Sequence, residues 1–226
     1  MTLAKDIEEM RSTIEGIEFP PGDIESQEPP LESYLHLQQI ILLLKCLEWL
    51  WKDRQDYFAA GNLTIYYSPN QKKSEYFRGP DFFLVRDTER KPRKSWVVWQ
   101  EDGKYPNVIV ELLSDSTATT DRGVKKRIYQ DVFRTPEYFW FSPHTLEFKG
   151  FALTRGTYEA MQPNERGWLW SEEMQLFLGV ENEQLRFFTP EGQLVPTPEE
   201  VAEMAQKQNE KMAAKLRELG IDPEQL

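Results

Sequence analysis

The stretch Pro106-Asn107-Val108-Ile109-Val110-Glu111-Leu112-Leu113-Ser114 carries the strongest fold signal in the chain. It is short, rich in β-branched residues and bounded by Pro and Ser, so it predicts a buried strand. Glu111 lies inside this apolar run. An ionised carboxylate that leaves water without a partner costs several kcal/mol or more. We therefore expect Glu111 to be ion-paired, hydrogen-bonded or bound to a cation.

A second acid opens an apolar strand further upstream, in Gly79-Pro80-Asp81-Phe82-Phe83-Leu84-Val85. Two carboxylates placed on strands in this way favour a divalent-metal site, since hard cations prefer oxygen ligands. Each acid also has a simpler interpretation. Asp81 follows Gly-Pro and is typical of a turn or cap residue, and Glu111 serves packing alone if it pairs with a core Arg or Lys. Only the combination of acids favours a metal.

Length and composition limit the class of protein. The 226 residues are enough for one sizeable core with tails. The N-terminal residues lack the basic and apolar regions of a signal peptide, and the apolar run Ile40–Leu44 is far shorter than the roughly 20 residues of a membrane-spanning helix. The single Cys46 excludes an internal disulfide and a thiolate metal cluster, and the two histidines argue against a His-rich zinc site. A soluble cytoplasmic protein is predicted.

The net charge of −11 argues against broad electrostatic attraction to nucleic acid. Basic residues nevertheless cluster in a segment that we predict to be a hairpin loop, namely Arg86, Arg90, Lys91, Arg93 and Lys94. Such a loop is usually only solvated, but it leaves room for a local basic rim beside an acidic body.

Three regions follow from patterning. Residues 1–30 form an acidic N-terminal arm ending in Pro-Pro. Residues 31–195 form one α/β domain, with a buried helix from Leu31 to Trp51, a strand at 62–67, a strand at 95–100, a hairpin over 138–153 and further short β-elements. Residues 196–226 form a C-terminal helix, which Thr197 caps and Pro198 opens.

The segment after Glu111 predicts a helix from Thr119 to about Phe133. At 100° per residue its inward apolar face consists of Val124, Ile128 and Val132. Lys125 projects within that face, whereas Lys126 projects away. A plain ion pair between Asp121 and Lys125, worth about 0.3–0.5 kcal/mol on an exposed helix, is the simpler alternative. Such a pair normally occupies the polar face, so we favour a role for Lys125 at the acidic site.

The histidines and tryptophans have ordinary interpretations. His36 is expected to be a helix residue with a local hydrogen bond, and His144 a turn residue. Trp168 and Trp170 alternate as one face of a strand does, which is more typical of a core than of a platform for stacking bases.

The combined motifs resemble the PD-(D/E)XK nuclease superfamily and, within it, a bacterial family of restriction-endonuclease-like proteins. The motifs are Pro80-Asp81, Glu111-Leu112-Leu113-Ser114, the Ser/Thr-rich link Asp115-Ser116-Thr117, the helix residues Asp121, Lys125 and Tyr129, and Glu137-Tyr138-Phe139-Trp140. Each motif is weak alone, and the set spans roughly residues 31–153. The resemblance implies a restriction-endonuclease-like core, with a central mixed sheet flanked by helices and the acids at one end of adjacent strands.

Two departures from the superfamily pattern bear on chemistry. Leu113 stands where the superfamily has a lysine two residues after the Glu, and the resemblance assigns that lysine to Lys125 on the following helix. Asp115 stands where the family often has Pro, which adds a negative charge close to the site.

The resemblance implies a hydrolase that cleaves phosphodiester bonds, most naturally in DNA. Asp81 and Glu111 would hold Mg²⁺ or Mn²⁺, with the carbonyl of Leu112 as a further ligand. Lys125 would orient the attacking water or stabilise the transition state. Asp81, Glu111 and Lys125 are thus the predicted catalytic residues.

Two other functions stay open. The first is a catalytically silent binding or regulatory module that keeps the nuclease fold, favoured by the acidity of the chain and by Asp115. The second is a homodimeric interaction protein that associates through its C-terminal helix. The imperfect apolar stripe of that helix consists of Val201, Ala205, Met212, Leu216 and Leu219.

Overall fold

A computed structural model describes residues 33–68, 76–114 and 121–219, without the side chains of residues 121 and 122. Twelve strands occur in these ranges: β1 (Tyr57–Gly61), β2 (Ile65–Tyr66), β3 (Phe77–Arg78), β4 (Phe82–Arg86), β5 (Trp96–Val97), β6 (Val108–Leu112), β7 (Glu137–Phe141), β8 (Phe148–Thr154), β9 (Thr157–Ala160), β10 (Leu169–Ser171), β11 (Leu176–Glu181) and β12 (Gln184–Phe188). The predicted N-terminal arm, the link with Asp115 and the side chain of Asp121 lie outside the described part.

A mixed six-stranded sheet, in the order β1-β4-β6-β7-β8-β9, forms the centre of the fold. Strands β6 and β7 are parallel, and the other neighbours are antiparallel. Two three-stranded sheets, β10-β11-β12 and β3-β2-β5, accompany it. The predicted mixed sheet, the β7–β8 hairpin and the later short β-elements are therefore present.

The helices flank this sheet. Helix α1 spans Tyr34–Leu50. A continuous helix, α2, consists of a π-helical segment Asp121–Lys125, a short α-helical segment Lys126–Ile128 and a second π-helical segment Tyr129–Phe133. Helix α3 spans Pro198–Glu218 after the predicted cap. A 3₁₀ turn, Val98–Gln100, follows β5.

Each face of the central sheet has its own apolar core. On one face α1 and the β10-β11-β12 sheet pack against residues such as Phe82, Val110 and Phe139. On the other face α2 and the β3-β2-β5 sheet pack against alternate residues of the same strands, such as Phe83 and Ile109. Burial on both faces explains why β6 is an uninterrupted apolar run apart from its one glutamate.

Helix α1 lies very close to the sheet at β1. A Cβ atom added to Gly61 would lie 2.2 Å from Cγ2 of Ile40, so a larger residue would push the helix outward. This close approach brings the first turn of α1 to the start of β4. Ser33 caps that turn by accepting a hydrogen bond from the amide of His36.

The predicted phase of α2 is wrong. Val124 and Val132, which a regular helix would turn inward, are 46% and 47% exposed. Tyr129 and Phe133 are buried instead. A π-helix has more residues per turn than the α-helix that we assumed, so 100° per residue misplaces its inward face.

The basic segment after β4 does not form the predicted hairpin. Strand β5 pairs in parallel with β2 instead of returning along β4. Arg93 turns inward, where Nε and Nη2 donate to the carboxylate of Glu101 at 2.6 and 2.9 Å. The predicted strand at 62–67 is also shorter, limited to β2, and β1 before it was not predicted.

Helix α3 is attached to the core by its first turn. Arg186 of β12, whose side chain is buried, donates to both oxygens of Glu200 at 2.9 and 2.7 Å, and Lys45 of α1 pairs with Glu199. Residues beyond this turn are largely exposed, including Met212 and Leu219 of the predicted stripe.

Among the residues that the structure describes, no helix has the length and apolarity needed to cross a membrane.

Candidate active site

The register of β4 and β6 brings the two predicted acids together. Phe82 of β4 lies opposite Val110 of β6 in an antiparallel pair. Asp81 immediately precedes Phe82 and Glu111 immediately follows Val110, so the two acids flank this pair at one end of the central sheet. Oδ2 of Asp81 accepts a hydrogen bond from the amide of Leu112, the residue after Glu111.

Glu111 is completely buried and its carboxylate is hydrogen-bonded from α2. The Tyr129 hydroxyl donates to Oε1 at 2.6 Å, and the Lys125 ammonium donates to Oε2 at 3.1 Å. The predicted contact between Lys125 and the acidic pair is therefore present at Glu111, although it arises from the π-helical turn. Lys125 and Tyr129 are four residues apart and reach the same carboxylate.

Asp81 contacts α1, which packs on the face of the sheet opposite to α2. Nε2 of His36, in the first turn of α1, lies 2.7 Å from Oδ1, and the backbone amide of Leu112 donates to Oδ2 at 2.7 Å. Burial of Asp81 acts to raise the pKa of its carboxyl group. The His36 hydrogen bond, the charges of His36 and Lys125 and the Leu112 amide outweigh burial, so this pKa lies below its ordinary value of 3.8. Asp81 is held as a carboxylate.

Lys126 departs from its predicted position in solvent. Its Nζ lies 3.3 Å from the centroid of the Phe151 ring and 5.7 Å from that of Trp140, and the residue is half-buried. Burial, followed by the charge of Lys149, lowers its pKa. Both adjacent lysines of α2 therefore turn toward the sheet.

Sequence reasoning missed the role of His36. A local hydrogen bond was expected for it, whereas its ring contacts a carboxylate 45 residues away in sequence. The one signal available was an unusual polar residue among apolar neighbours in a buried helix. His144 does lie in a turn, as predicted.

The side chains that meet here suit a hard divalent cation. Among residues 33–68, 76–114 and 121–219, no three His, Cys, Asp or Glu residues are grouped closely enough to hold a metal by themselves. The predicted ligands are the carboxylates of Asp81 and Glu111 and the carbonyl of Leu112, whose amide contacts Asp81. Mg²⁺ in nucleic-acid enzymes typically takes one or two carboxylates and completes its shell with water and phosphate oxygens. The oxygens of both carboxylates accept hydrogen bonds, and a carboxylate has about four acceptor sites in all.

The fold and this cluster define a class: a restriction-endonuclease-like α/β protein with paired acids at the strand ends and a lysine on the next helix. The chain belongs to the Uma2 family, described as "Putative restriction endonuclease", whose model matches residues 4–187. This confirms the resemblance seen in the sequence. No curated protein matches the chain.

A solved structure with a similar chain is the crystal structure of "a putative nuclease belonging to DUF820" from Anabaena variabilis ATCC 29413. The two sequences are 11% identical, and the TM-score is 0.48. The alignment covers 66% of this chain and 77% of the other.

Proposed function

We propose that this protein is a cytoplasmic endonuclease that hydrolyses phosphodiester bonds in DNA with the help of Mg²⁺ or Mn²⁺. One observation carries the proposal: the fully buried Glu111 contacts Lys125, and the next residue along, Leu112, donates its amide to the carboxylate of Asp81. A buried carboxylate that served packing alone would gain nothing from a second carboxylate next to it, because like charges in a shared site repel each other. Membership of the Uma2 family supports a nuclease.

The cation would be held by Asp81, Glu111 and the Leu112 carbonyl. When bound, it would activate water and offset the charge that develops on the phosphate. The hydrogen bonds from His36 and from the Leu112 amide fix the orientation of Asp81 before any ligand arrives. Tyr129 does the same for Glu111. In metal sites, hydrogen bonds from surrounding residues hold the ligating groups in a fixed orientation.

Lys125 would be the catalytic cation of the chain itself. Its side chain is 19% accessible, whereas the side chain of Glu111, which it contacts, is fully buried. Lys125 is therefore the more accessible partner of this ion pair. From this position it would orient the attacking water or stabilise the charge of the transition state.

Cleavage of supercoiled plasmid tests the proposal. Wild-type protein should nick or linearise the plasmid in Mg²⁺ or Mn²⁺ and leave it intact in EDTA. Single-stranded DNA, linear duplex and RNA assayed beside it would define the substrate. Asp81→Ala should lose the activity, whereas Asp131→Ala, an exposed acid on α2, should keep it. Cleavage that persists in EDTA, or equally in Asp81→Ala, would refute the metal-dependent mechanism.

A second candidate is a catalytically silent binding module. The observation in its favour is that Lys125 already neutralises Glu111 and His36 already contacts Asp81, so the site is stable without a cation. That candidate predicts DNA binding without cleavage under every metal condition.

A further inference from the structure

A row of residues leads away from the acidic pair across the central sheet. Glu111 of β6 lies opposite Trp140 of β7, and Trp140 lies opposite Lys149 of β8. Neighbouring strands are about 4.8 Å apart, so the Lys149 backbone lies roughly 10 Å from that of Glu111. Since these residues are in register, their side chains share the face of the sheet that α2 covers.

Lys126 approaches this row from above. Its ammonium lies over the Phe151 ring, next to Trp140, as described for the active site. Within the described part of the chain it has aromatic contacts and no ion pair with a carboxylate. In addition to burial, the charge of Lys149, another cation, lowers the pKa of Lys126.

Lys149 also has only a weak ion pair within the fold. Its side chain is 59% exposed, and its ion pair with Glu147 is long, at 3.8 Å. A chain with a net charge of −11 has an excess of acids available. Two ammonium groups that repel each other at the end of this row reduce the stability that the cation–π contact and the long ion pair contribute.

Two arginines, Arg93 and Arg86, differ in this respect. Arg93 is paired with Glu101, and Arg86 donates to Glu173 at 3.1 Å. The charges of these arginines are offset by carboxylates, whereas Lys126 contacts aromatic rings and Lys149 has one long ion pair, so an anion placed near both lysines would be stabilised by each.

We propose that Lys126 and Lys149 together bind a backbone phosphate adjacent to the one that is cleaved, so that the substrate strand extends from Lys125 toward Lys149. This inference rests on the proposed nuclease function and deepens it. The aromatic rings beneath Lys126 hold its ammonium in place by cation–π attraction and limit the mobility that it would lose on binding. Trp140 is buried, so it supports the lysine and does not stack on a base.

The kinetic test uses Lys126→Gln, Lys149→Gln and the double variant, with Lys207→Gln on α3 as a matched control that removes the same charge from an exposed site. Each site variant should raise KM for plasmid cleavage about five- to tenfold and change kcat less than twofold. The slope of log KM against log salt should fall by about 1 for each lysine removed, because each phosphate contact releases counterions. Lys149→Gln changes an exposed side chain and keeps the test valid if Lys126→Gln folds poorly.

Site variants that match Lys207→Gln in both KM and salt slope, in a protein that cleaves, would overturn the inference and leave the proposed function intact. If the wild-type protein cleaves nothing, inorganic pyrophosphate is the probe, observed through the NMR signals of the lysine side-chain methylene groups. Shifts confined to Lys126 and Lys149 would support the phosphate site while the nuclease proposal fails. Absence of such shifts would overturn the site as well.

Discussion

The ammonium of Lys125 lies 3.1 Å from the carboxylate of Glu111, and Glu111 has no exposure to solvent. A fully buried carboxylate needs a cation or several donors, and here α2 supplies both through Lys125 and Tyr129. The same charge lowers the pKa of Asp81. Lys125 therefore connects the two acids electrostatically and makes the acidic pair compatible with a folded protein that has no metal bound.

Replacement of Lys125 by Met should abolish most turnover while Mg²⁺ binding is largely retained. The substitution keeps the length of the side chain and removes its charge, so we expect a loss of about 10²–10³-fold in kcat. Without metal, the variant should be less stable by roughly 3–5 kcal/mol, because Glu111 loses its charged partner, and it should gain more stability from Mg²⁺ than the wild type does.

Arg127→Met, an exposed position on the same helix, is the control for Lys125→Met. Lys126→Met would be a control if Lys126 projected into solvent as the sequence predicted. It is unsuitable because Lys126 is half-buried on aromatic rings. Equal turnover and equal urea midpoints for Lys125→Met and Arg127→Met would contradict the role assigned to Lys125.

Replacement of His36 by Leu should raise the pKa of Asp81, because burial then acts with less opposition. The wild-type pKa lies below 3.8, so the stabilisation from this carboxylate is present above pH 3.8 and is lost as the pH falls through the folded-state pKa. We expect the variant to be about 1–3 kcal/mol less stable at neutral pH, with a difference that shrinks below pH 3.8. Urea unfolding from pH 2.5 to 7 measures it, and a constant difference over that range would argue against the pairing.

Glu137 should cause stability to fall as the pH rises from about 4.5 to 7. Burial raises the pKa of Glu137 to about 7, even though Ser171 and the amides of Glu173 and Glu172 donate to it. The folded state then binds a proton that the unfolded state has released, so its contribution is full below pH 4.5 and is lost as the pH rises through 7. The loss is on the order of 3 kcal/mol.

Glu137→Gln should remove this dependence, because the amide oxygen still accepts from the backbone and no charge is buried. Unfolding midpoints measured between pH 4 and 8 should therefore be flatter than those of the wild type. Glu147→Gln, a more exposed glutamate on the neighbouring turn, serves as the control. A wild-type profile without a decline over this interval would show that Glu137 titrates at its ordinary pKa.

Several features were predictable because they depend on local sequence. The apolar run around Glu111 gave the buried strand, and alternation around the short turn gave the β7–β8 hairpin. Thr197 and Pro198 gave the start of α3. In each case neighbouring residues contain all the information that the element needs.

Other features depend on contacts that are distant in sequence or on irregular geometry. The parallel pairing of β2 with β5 cannot be read from either short strand alone. The bond between His36 and Asp81 joins residues on different elements. Lys125 was predicted to face inward, but from an α-helical phase that the π-helical turns do not follow, which is why the same reasoning failed for Val124 and Lys126.

Removal of residues 200–226 should leave a folded core, because the strands and the proposed site all precede Thr189. The truncated protein should unfold cooperatively but be less stable by about 1–3 kcal/mol, because the buried Arg186 loses Glu200. Removal of residues 208–226 is the control and should cost nothing, since that part of α3 is mostly exposed. Loss of cooperative unfolding would move the domain boundary into α3, and a halved molecular mass would identify α3 as a homodimer contact.

A double-mutant cycle on Asp81 and Glu111 tests the central claim most directly, namely that the two carboxylates serve one cation in phosphodiester hydrolysis. The measurement is the rate of plasmid cleavage in Mg²⁺ for the wild type, Asp81→Asn, Glu111→Gln and the double variant. Groups that act as a unit are strongly non-additive. We predict that each single variant loses at least about 10²-fold and that the double variant loses little more than either one. Multiplicative losses, or wild-type cleavage by either single variant, would contradict a shared metal site.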